Sequence, residues 1–534
     1  MTAFDPPAFR ADARPEFTDA SGCAAWLREL PLANVPLAHG RLLDQIEELN
    51  GCKVPPAERL KMLELLSEPI EFAQTELAKK FLYRPAQLPR PEREIFQRAI
   101  GLWDALANGY RHCLYAAATG AMEMSEPLLC QRVLRYCEQR MLCHDGIYQE
   151  IPGDVWSLAH QVFAFAEARG ISTAELPGEK RKKTSCTQIY AHMLLLQLAN
   201  PNELTQREMS LISRWLDRWS SRVVIGHIPS EANDGVAPLA VDFSQSTGAK
   251  RGLAPGNSIR YLDIDRPVQS VRKRIHRLRR GELPAALGLG DEVSKETAER
   301  LLTLLYRRWR KDEQARQQPR RGASGTALAV SSLAAMHYFI TGNPFHQPHR
   351  PQATAKITSA QREEIATFGR IATRREEDYA AAHGYALETW QIADESLSGL
   401  RLRRIDPAAN SRLLLKQLLA VRPADAKNFL LAQIRWLSVS SGFDLSLGVR
   451  TLPGVPAGIA IRASGINTRQ DEYIPALMLP AVMALQSPDT VVLPPGWFRP
   501  KRVIEIYSGS AREIMLMETV MRGADFEQVT FASA

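Results

Sequence analysis

The stretch Gly369–Leu402, GRIATRREEDYAAAHGYALETWQIADESLSGLRL, decides how this chain is read. Two arginines stand four apart, Arg370 and Arg374, and Arg375 adds charge beside them. Twenty residues after Arg374 comes Asp394-Glu395-Ser396-Leu397-Ser398-Gly399. Aspartate and serine side chains bond back to nearby backbone, and glycine accepts conformations that other residues avoid, so this is turn-forming sequence. On either side the pattern has period two: Trp390-Gln391-Ile392-Ala393 before it and Leu400-Arg401-Leu402-Arg403 after it. Period two belongs to strands, so the stretch predicts two strands joined through DxSxxG, with RxxxR ahead of them.

The alternation continues downstream through Gln417–Arg422, Phe429–Trp436, Leu447–Arg450 and Gly458–Arg462. Several short strands separated by glycine, proline and aspartate turns argue for a small closed β-barrel. Beyond it, Ile474 to Leu485 reads as a helix or loop. Val491–Leu493, Val503–Tyr507, Ile514–Leu516 and Val529–Phe531 read as strands that extend or cap the barrel. Upstream, Pro344, Pro348 and Pro351 interrupt Gly342–Pro351 and mark a linker, in which His346 and His349 are linker residues.

From Ser21 to Trp219 the spacing is helical. Pro56, Pro91 and Pro127 sit at first-turn positions, and Ile95, Ala99, Leu102, Trp103 and Leu106 form an apolar stripe. Thr205-Gln206-Arg207-Glu208 has the pattern of a capping box. No fixed repeat emerges. Near Ser221 the pattern changes to short strands, at Val223–Ile225, Leu239–Phe243 and Ile259–Ile264, followed by basic runs at 272–280 and 307–311. Such runs suit phosphate-rich partners, but Glu282, Asp291, Glu292 and Glu313 are at hand to balance them as solvated helix faces.

The net charge of +8 fits an anionic partner without choosing one. Seven cysteines, with no CxxC pair, read as buried thiols, and Cys137 with Cys143-His144 lacks the second tight pair that zinc would need. No apolar run approaches the roughly 20 residues of a spanning helix, and the N-terminus has no secretory pattern, which places the protein in the cytoplasm. There is no phosphate loop, no nucleophile elbow and no HExxH, so catalysis is not expected.

RxxxR followed by DxSxxG, with Arg435-Trp436 closing one strand and Leu447-Gly448-Val449 in the next, resembles the PilZ domain family over about residues 357 to 464. The resemblance implies a six-stranded antiparallel barrel that binds bacterial cyclic di-GMP. It gives Arg370 and Arg374 to phosphate and guanine, Asp394 and Ser396 to the purine edges, and Gly399 to a close backbone turn. The chemistry agrees, since an arginine fork matches phosphate or the O6/N7 edge of guanine. The expected whole is multidomain α+β: a helical N-terminal scaffold with a small β insertion, a PilZ-like barrel and a C-terminal β-rich extension. Its divisions fall at 1–222 (helical), 223–341 (β insertion and basic helix), 342–356 (linker), 357–464 (barrel) and 465–534 (extension). The implied function is a cyclic di-GMP receptor, with that ligand and no cofactor, relaying to a protein partner through its helical region. A barrel that has lost its ligand and serves as a scaffold, or a nucleic-acid regulator using the basic runs, are the other readings. Nucleic acid is the disfavoured partner.

Overall fold

The computed structural model describes all residues except 1–4, 83, 85–86, 122–124, 178–182, 230–236, 311–320, 349–378, 407–411 and 465–471. It divides into two compact parts, Met1–Gln317 and Gln318–Ala534.

The first part begins with helices α1 (Ala20–Arg28), α2 (Val35–Gly51), α3 (Pro56–Ala78), α4 (Arg90–Ala118), α5 (Glu126–Gly146) and α6 (Gly153–Ala168). A short ribbon, β1 (Leu176–Pro177) with β2 (Lys183–Thr184), leads to α7 (Cys186–Leu198) and α8 (Gln206–Trp219). Proline occupies the first turn of α3, α4 and α5, where its missing N–H removes no helical bond. Thr205 and Glu208 form the capping box of α8 in both directions. Long helices α4 and α5 pack side by side, Trp103 stacking on Tyr136 at 5.7 Å, and six of the seven cysteines are buried. No helix among the described residues is long and apolar enough to cross a membrane.

The expected β insertion is a four-stranded sheet of β3 (Val224–Gly226), β4 (Leu239–Asp242), β5 (Lys250–Arg251) and β6 (Ile259–Asp263), in the order β3-β6-β4-β5. Arg260 on β6 ties it to α6, its Nε donating to Glu167 Oε2 at 2.7 Å. The basic helices α9 (Asp265–Arg279) and α10 (Lys295–Arg310) complete this part.

The second part contains β7 (Arg321–Val330), α11 (Leu333–Thr341), β8 (Leu387–Ser396), β9 (Gly399–Arg404), β10 (Leu418–Pro423), β11 (Leu430–Val439) and β12 (Leu445–Thr451). These are followed by β13 (Ala457–Ala463), β14 (Ile474–Leu479), β15 (Thr490–Leu493), β16 (Val503–Tyr507), β17 (Ala511–Arg522) and β18 (Glu527–Ser533). They close into two antiparallel six-stranded barrels, β7-β8-β9-β12-β11-β10 and β13-β14-β15-β18-β17-β16. Counted within each barrel, both follow the order first-second-third-sixth-fifth-fourth.

Four features depart from what the sequence predicts. The first barrel takes its first strand, β7, from ahead of the proline-rich stretch. Gly322, Ala323, Ser324 and Gly325 carry no strand-like pattern, yet β7 pairs with β8 from Arg321↔Glu395 to Val330↔Leu387. Residues 457–463 form β13, which belongs to the second barrel and not the first. Ile474–Leu479, expected as helix or loop, is a strand, because β13 and β15 supply ladder partners on both sides and override the helical leaning of Ala, Leu and Met. The extension is therefore a whole barrel.

The proline-rich stretch does not separate bodies. Ala335 and Met336 of α11 share one buried cluster with Leu418, Phe429 and Leu431 of the first barrel and Leu477, Leu479 and Val492 of the second. Gln347 is bound in both directions to the Tyr473 backbone, at 2.9 Å each way. Burying a large aliphatic side chain is worth about 1.5–3 kcal/mol, so this seam is strong.

A fragment beginning at residue 318 is expected to fold with a β-type circular-dichroism spectrum. One beginning at 357 lacks β7 and α11, leaves β8 and β10 each with an open edge, and is expected to aggregate or give no cooperative melt. A cooperative melt from the shorter fragment would contradict the strand order.

The helical part generates a pH prediction. Asp145 at the end of α5 is buried, its Oδ2 without a hydrogen-bond partner among the described residues, and burial pushes its pKa up to about 8. Unfolded, it would titrate near ~3.9, so the unfolded chain releases a proton that the fold retains, and stability falls as pH rises between the two values. Asp145→Asn should gain stability over wild type progressively from about pH 4 to 8, read as the difference in melting temperature. A difference flat with pH would show that the carboxyl ionises freely in the fold.

Candidate ligand site

The DxSxxG sequence forms the tip of the β8–β9 hairpin, with Ser396 opposite Gly399 and Leu397-Ser398 as the turn. The Ser396 hydroxyl donates to the Gly399 carbonyl at 3.3 Å. The Ser398 carbonyl accepts from the Thr451 N–H at 3.0 Å, which fastens the turn to β12. A Cβ on Gly399 would lie 2.6 Å from the Val449 carbonyl oxygen, so glycine is needed because a neighbouring strand passes under it.

Asp394 owes its direction to a bulge. Trp390 and Ile392 point into the barrel, and strict alternation would send Asp394 the same way. The register shifts between Ile392 and Asp394, and the extra residue brings Asp394 opposite Arg401 on the outer face. On β11 the register shifts again between Ile434 and Trp436, setting Trp436 opposite Gly448. A third shift, between Gly322 and Gly325 on β7, puts Gly322 opposite Asp394.

The result is an outer row across five strands: Gly322, Asp394, Arg401, Gly448, Trp436. The indole of Trp436 lies against Gly448, where any Cβ would collide with it. The Arg401 guanidinium sits 5.8 Å from the Trp436 ring and 3.8 Å from the Asp394 carboxylate. Acceptor, forked donor, hydroxyl and aromatic face are thus set side by side, a set suited to a planar, hydrogen-bonding, anionic ligand.

Of the sequence-predicted residues, Asp394, Ser396 and Gly399 come together at this hairpin. Arg370 and Arg374 lie outside the described residues. Trp436 and Gly448 carry part of the resemblance and Arg401 is strand sequence, but none is marked as a site residue, because nothing in a linear pattern locates the bulges that align them. A second RxxxR, Arg316 to Arg320, stands immediately before β7. It too lies outside the described residues, but Arg321, the next residue, has Glu395 as its Cα partner. Knowing that β7 neighbours β8 would have singled it out.

Two family models match the chain. Residues 21–230 match the N-terminal domain of the cyclic-di-GMP receptor FimW, and residues 459–534 match the FimW C-terminal β-barrel domain. The likeness is to FimW. The curated protein called cyclic-di-GMP receptor FimW, from Pseudomonas aeruginosa strain PAO1, is 22% identical over 552 residues, covering 95% of this chain and 90% of its own. The helical part, for which the sequence motifs indicate no family, is thus similar over residues 21–230 to the FimW N-terminal domain. The FimW barrel model begins at Ile459, within β13, in keeping with the start of the second barrel. The hairpin falls between the two matched stretches and within the alignment to the curated FimW.

Gly399→Ala should cost about 1–3 kcal/mol of stability in the second part, since the strand carbonyl it meets has no free direction to yield. Chemical denaturation reads this, and a neutral outcome would mean that β9 and β12 separate more easily than their register implies.

Proposed function

We propose that this chain is a cyclic di-GMP receptor whose first barrel, of PilZ-like design, holds the dinucleotide on the outer row beside the β8–β9 hairpin. The observation that carries the reading is the row itself: three bulges bring Gly322, Asp394 and Trp436 into line with the outward-facing Arg401, next to a DxSxxG turn. The near full-length likeness to a protein named as a cyclic-di-GMP receptor supports it.

In this reading Asp394 accepts from the guanine N–H groups, Ser396 bonds a purine edge, Arg401 reads O6/N7 or phosphate, and Trp436 offers a stacking face. Arginines from an RxxxR segment grip the phosphates. Arg370 and Arg374 are implied by the resemblance, and we offer Arg316 and Arg320, the RxxxR that ends one residue before β7, as the stronger candidates. Arg320 is one peptide bond from Arg321, beside Glu395. The helical part then carries the signal to a protein partner in the cytoplasm. The chain acts by binding, not by catalysis.

The test is the melting shift of the full chain with cyclic di-GMP, where binding adds about 2.7 kcal/mol at a hundredfold excess over Kd. Wild type should shift, Asp394→Ala should lose the shift, and Arg316→Ala/Arg320→Ala should lose more of it than Arg370→Ala/Arg374→Ala. Cyclic di-AMP should bind more weakly, because adenine offers a donor where guanine offers O6, a mismatch of about 1–3 kcal/mol per bidentate pair. No shift in wild type at saturating nucleotide sinks the receptor reading. A shift that survives Asp394→Ala moves the site elsewhere.

A further inference from the structure

We propose that the outward face of α9 is a docking surface for an acidic segment of a partner protein, a reading that rests on the helical part being the output side of the receptor. The face lies outside both stretches matched by the FimW models, at 21–230 and 459–534.

Its geometry is fixed by what it buries. Val268, Val271, Ile275 and Leu278 face the core, so the helix cannot roll. Positions 266, 269, 273, 276 and 280 follow the three-four spacing of one helical stripe, and they hold Arg266, Gln269, Lys273, His276 and Arg280, all exposed. Arg272 lies alongside. Two nearby carboxylates are already engaged: Glu282 with Arg277 at 2.5 Å and Glu299 with Arg279 at 2.7 Å. Arg266, Arg272 and Lys273 have no acidic partner among the described residues.

Charge is also crowded at the flank of the stripe. Arg274, its guanidinium 5.8 Å from the Trp219 ring, has a lowered pKa, first from burial and then from Arg218, Arg222 and Arg277. A surface that gathers like charges while its acids are used elsewhere gains from a polyanion.

The occupant follows from what accompanies the charge. A bilayer would need apolar residues facing outward, and the apolar side of α9 faces the core. Bases would need exposed aromatic faces, yet Trp219 and Trp309 are buried. Leu283, 68% exposed just beyond the stripe, is an anchor that a phosphate backbone has no use for and that an acidic peptide with an apolar residue matches. The helix is 15 residues, about 22 Å, which an extended segment of about seven residues spans.

The experiment titrates the full chain into a labelled peptide of about ten residues, glutamates with two leucines, by fluorescence anisotropy. Wild type should bind, with affinity falling as salt rises, while the same peptide with glutamine for glutamate should not bind. Arg272→Glu/Lys273→Glu, with native circular dichroism, should lose at least tenfold, and Leu283→Ser a smaller factor. Failure of the acidic peptide to bind, or equal binding by the double variant, overturns the proposal. So does tighter binding of duplex DNA or anionic phospholipid vesicles that the double variant loses, since the face would then read phosphates. The double variant should keep the wild-type melting shift with cyclic di-GMP. Peptide binding in a wild type that shows no nucleotide shift would support this surface and fail only the receptor reading.

Discussion

Strand parity is the constraint on which the first barrel and its outer row both depend. In a closed barrel every residue points in or out, and a one-residue slip exchanges the two sets. Kept in strict register, Asp394 would follow Ile392 inward, and a lone carboxylate in an apolar interior would be forced to take up a proton. The bulges on β8 and β11 are therefore what allow Leu402, Leu437 and Leu447 to fill the core while Asp394 and Trp436 face outward on the same strand pairs. Closure keeps the bulges in place, because a strand with partners on both sides cannot slide to relieve them.

The barrel separates bonds that hold it together from bonds that can be exchanged. Inside, Arg404 meets Glu388 at 3.1 Å and lies 4.9 Å over Trp390, with both charges withdrawn from water. Breaking one side of such a pair leaves the other charge buried, which is strongly destabilising. Outside, the Asp394–Arg401 pair spans 3.8 Å with the arginine half exposed, and exposed pairs contribute only ~0–1 kcal/mol. A ligand can take over these groups at little cost to the fold. The same argument accounts for Gly448, which shapes the surface by leaving Trp436 room to lie flat.

Much of this was legible in the sequence where one principle acted alone. The capping box at Thr205, the first-turn prolines and the alternating strands around Asp394 are local signals, and the helical part, the β insertion and the hairpin follow from them. What escaped depends on neighbours. β7 opens on Gly322-Ala323-Ser324-Gly325, which carry no period, and only its pairing with β8 marks them as strand. Ile474–Leu479 reads as helix until β13 and β15 are placed on its two sides. The row from Gly322 to Trp436 joins residues more than a hundred positions apart, and only the register reveals it. The proline-rich stretch misled for the opposite reason: composition marks where regular structure stops, not where packing stops, and Gln347 is bonded to the second barrel.

The two barrels also show how little of a ligand site belongs to a fold. Their strand order is the same, so β14–β15 in the second occupies the topological place of β8–β9 in the first. There the connection runs from Pro480 to Asp489 in place of a two-residue turn, closed by a Val482↔Ser487 bridge, with Met483 and Leu485 turned to solvent. No aspartate, serine and glycine stand at DxSxxG spacing in it, and no RxxxR precedes β13. The second barrel instead lends Leu477, Leu479, Val492 and Phe526 to the cluster it shares with the first. Leu418 on β10 donates its N–H to Asp525 at 2.9 Å, and Ala524 donates to the Lys416 carbonyl at 3.0 Å. One barrel thus carries the polar row, and its topological twin braces the end of β10 that keeps the first barrel closed.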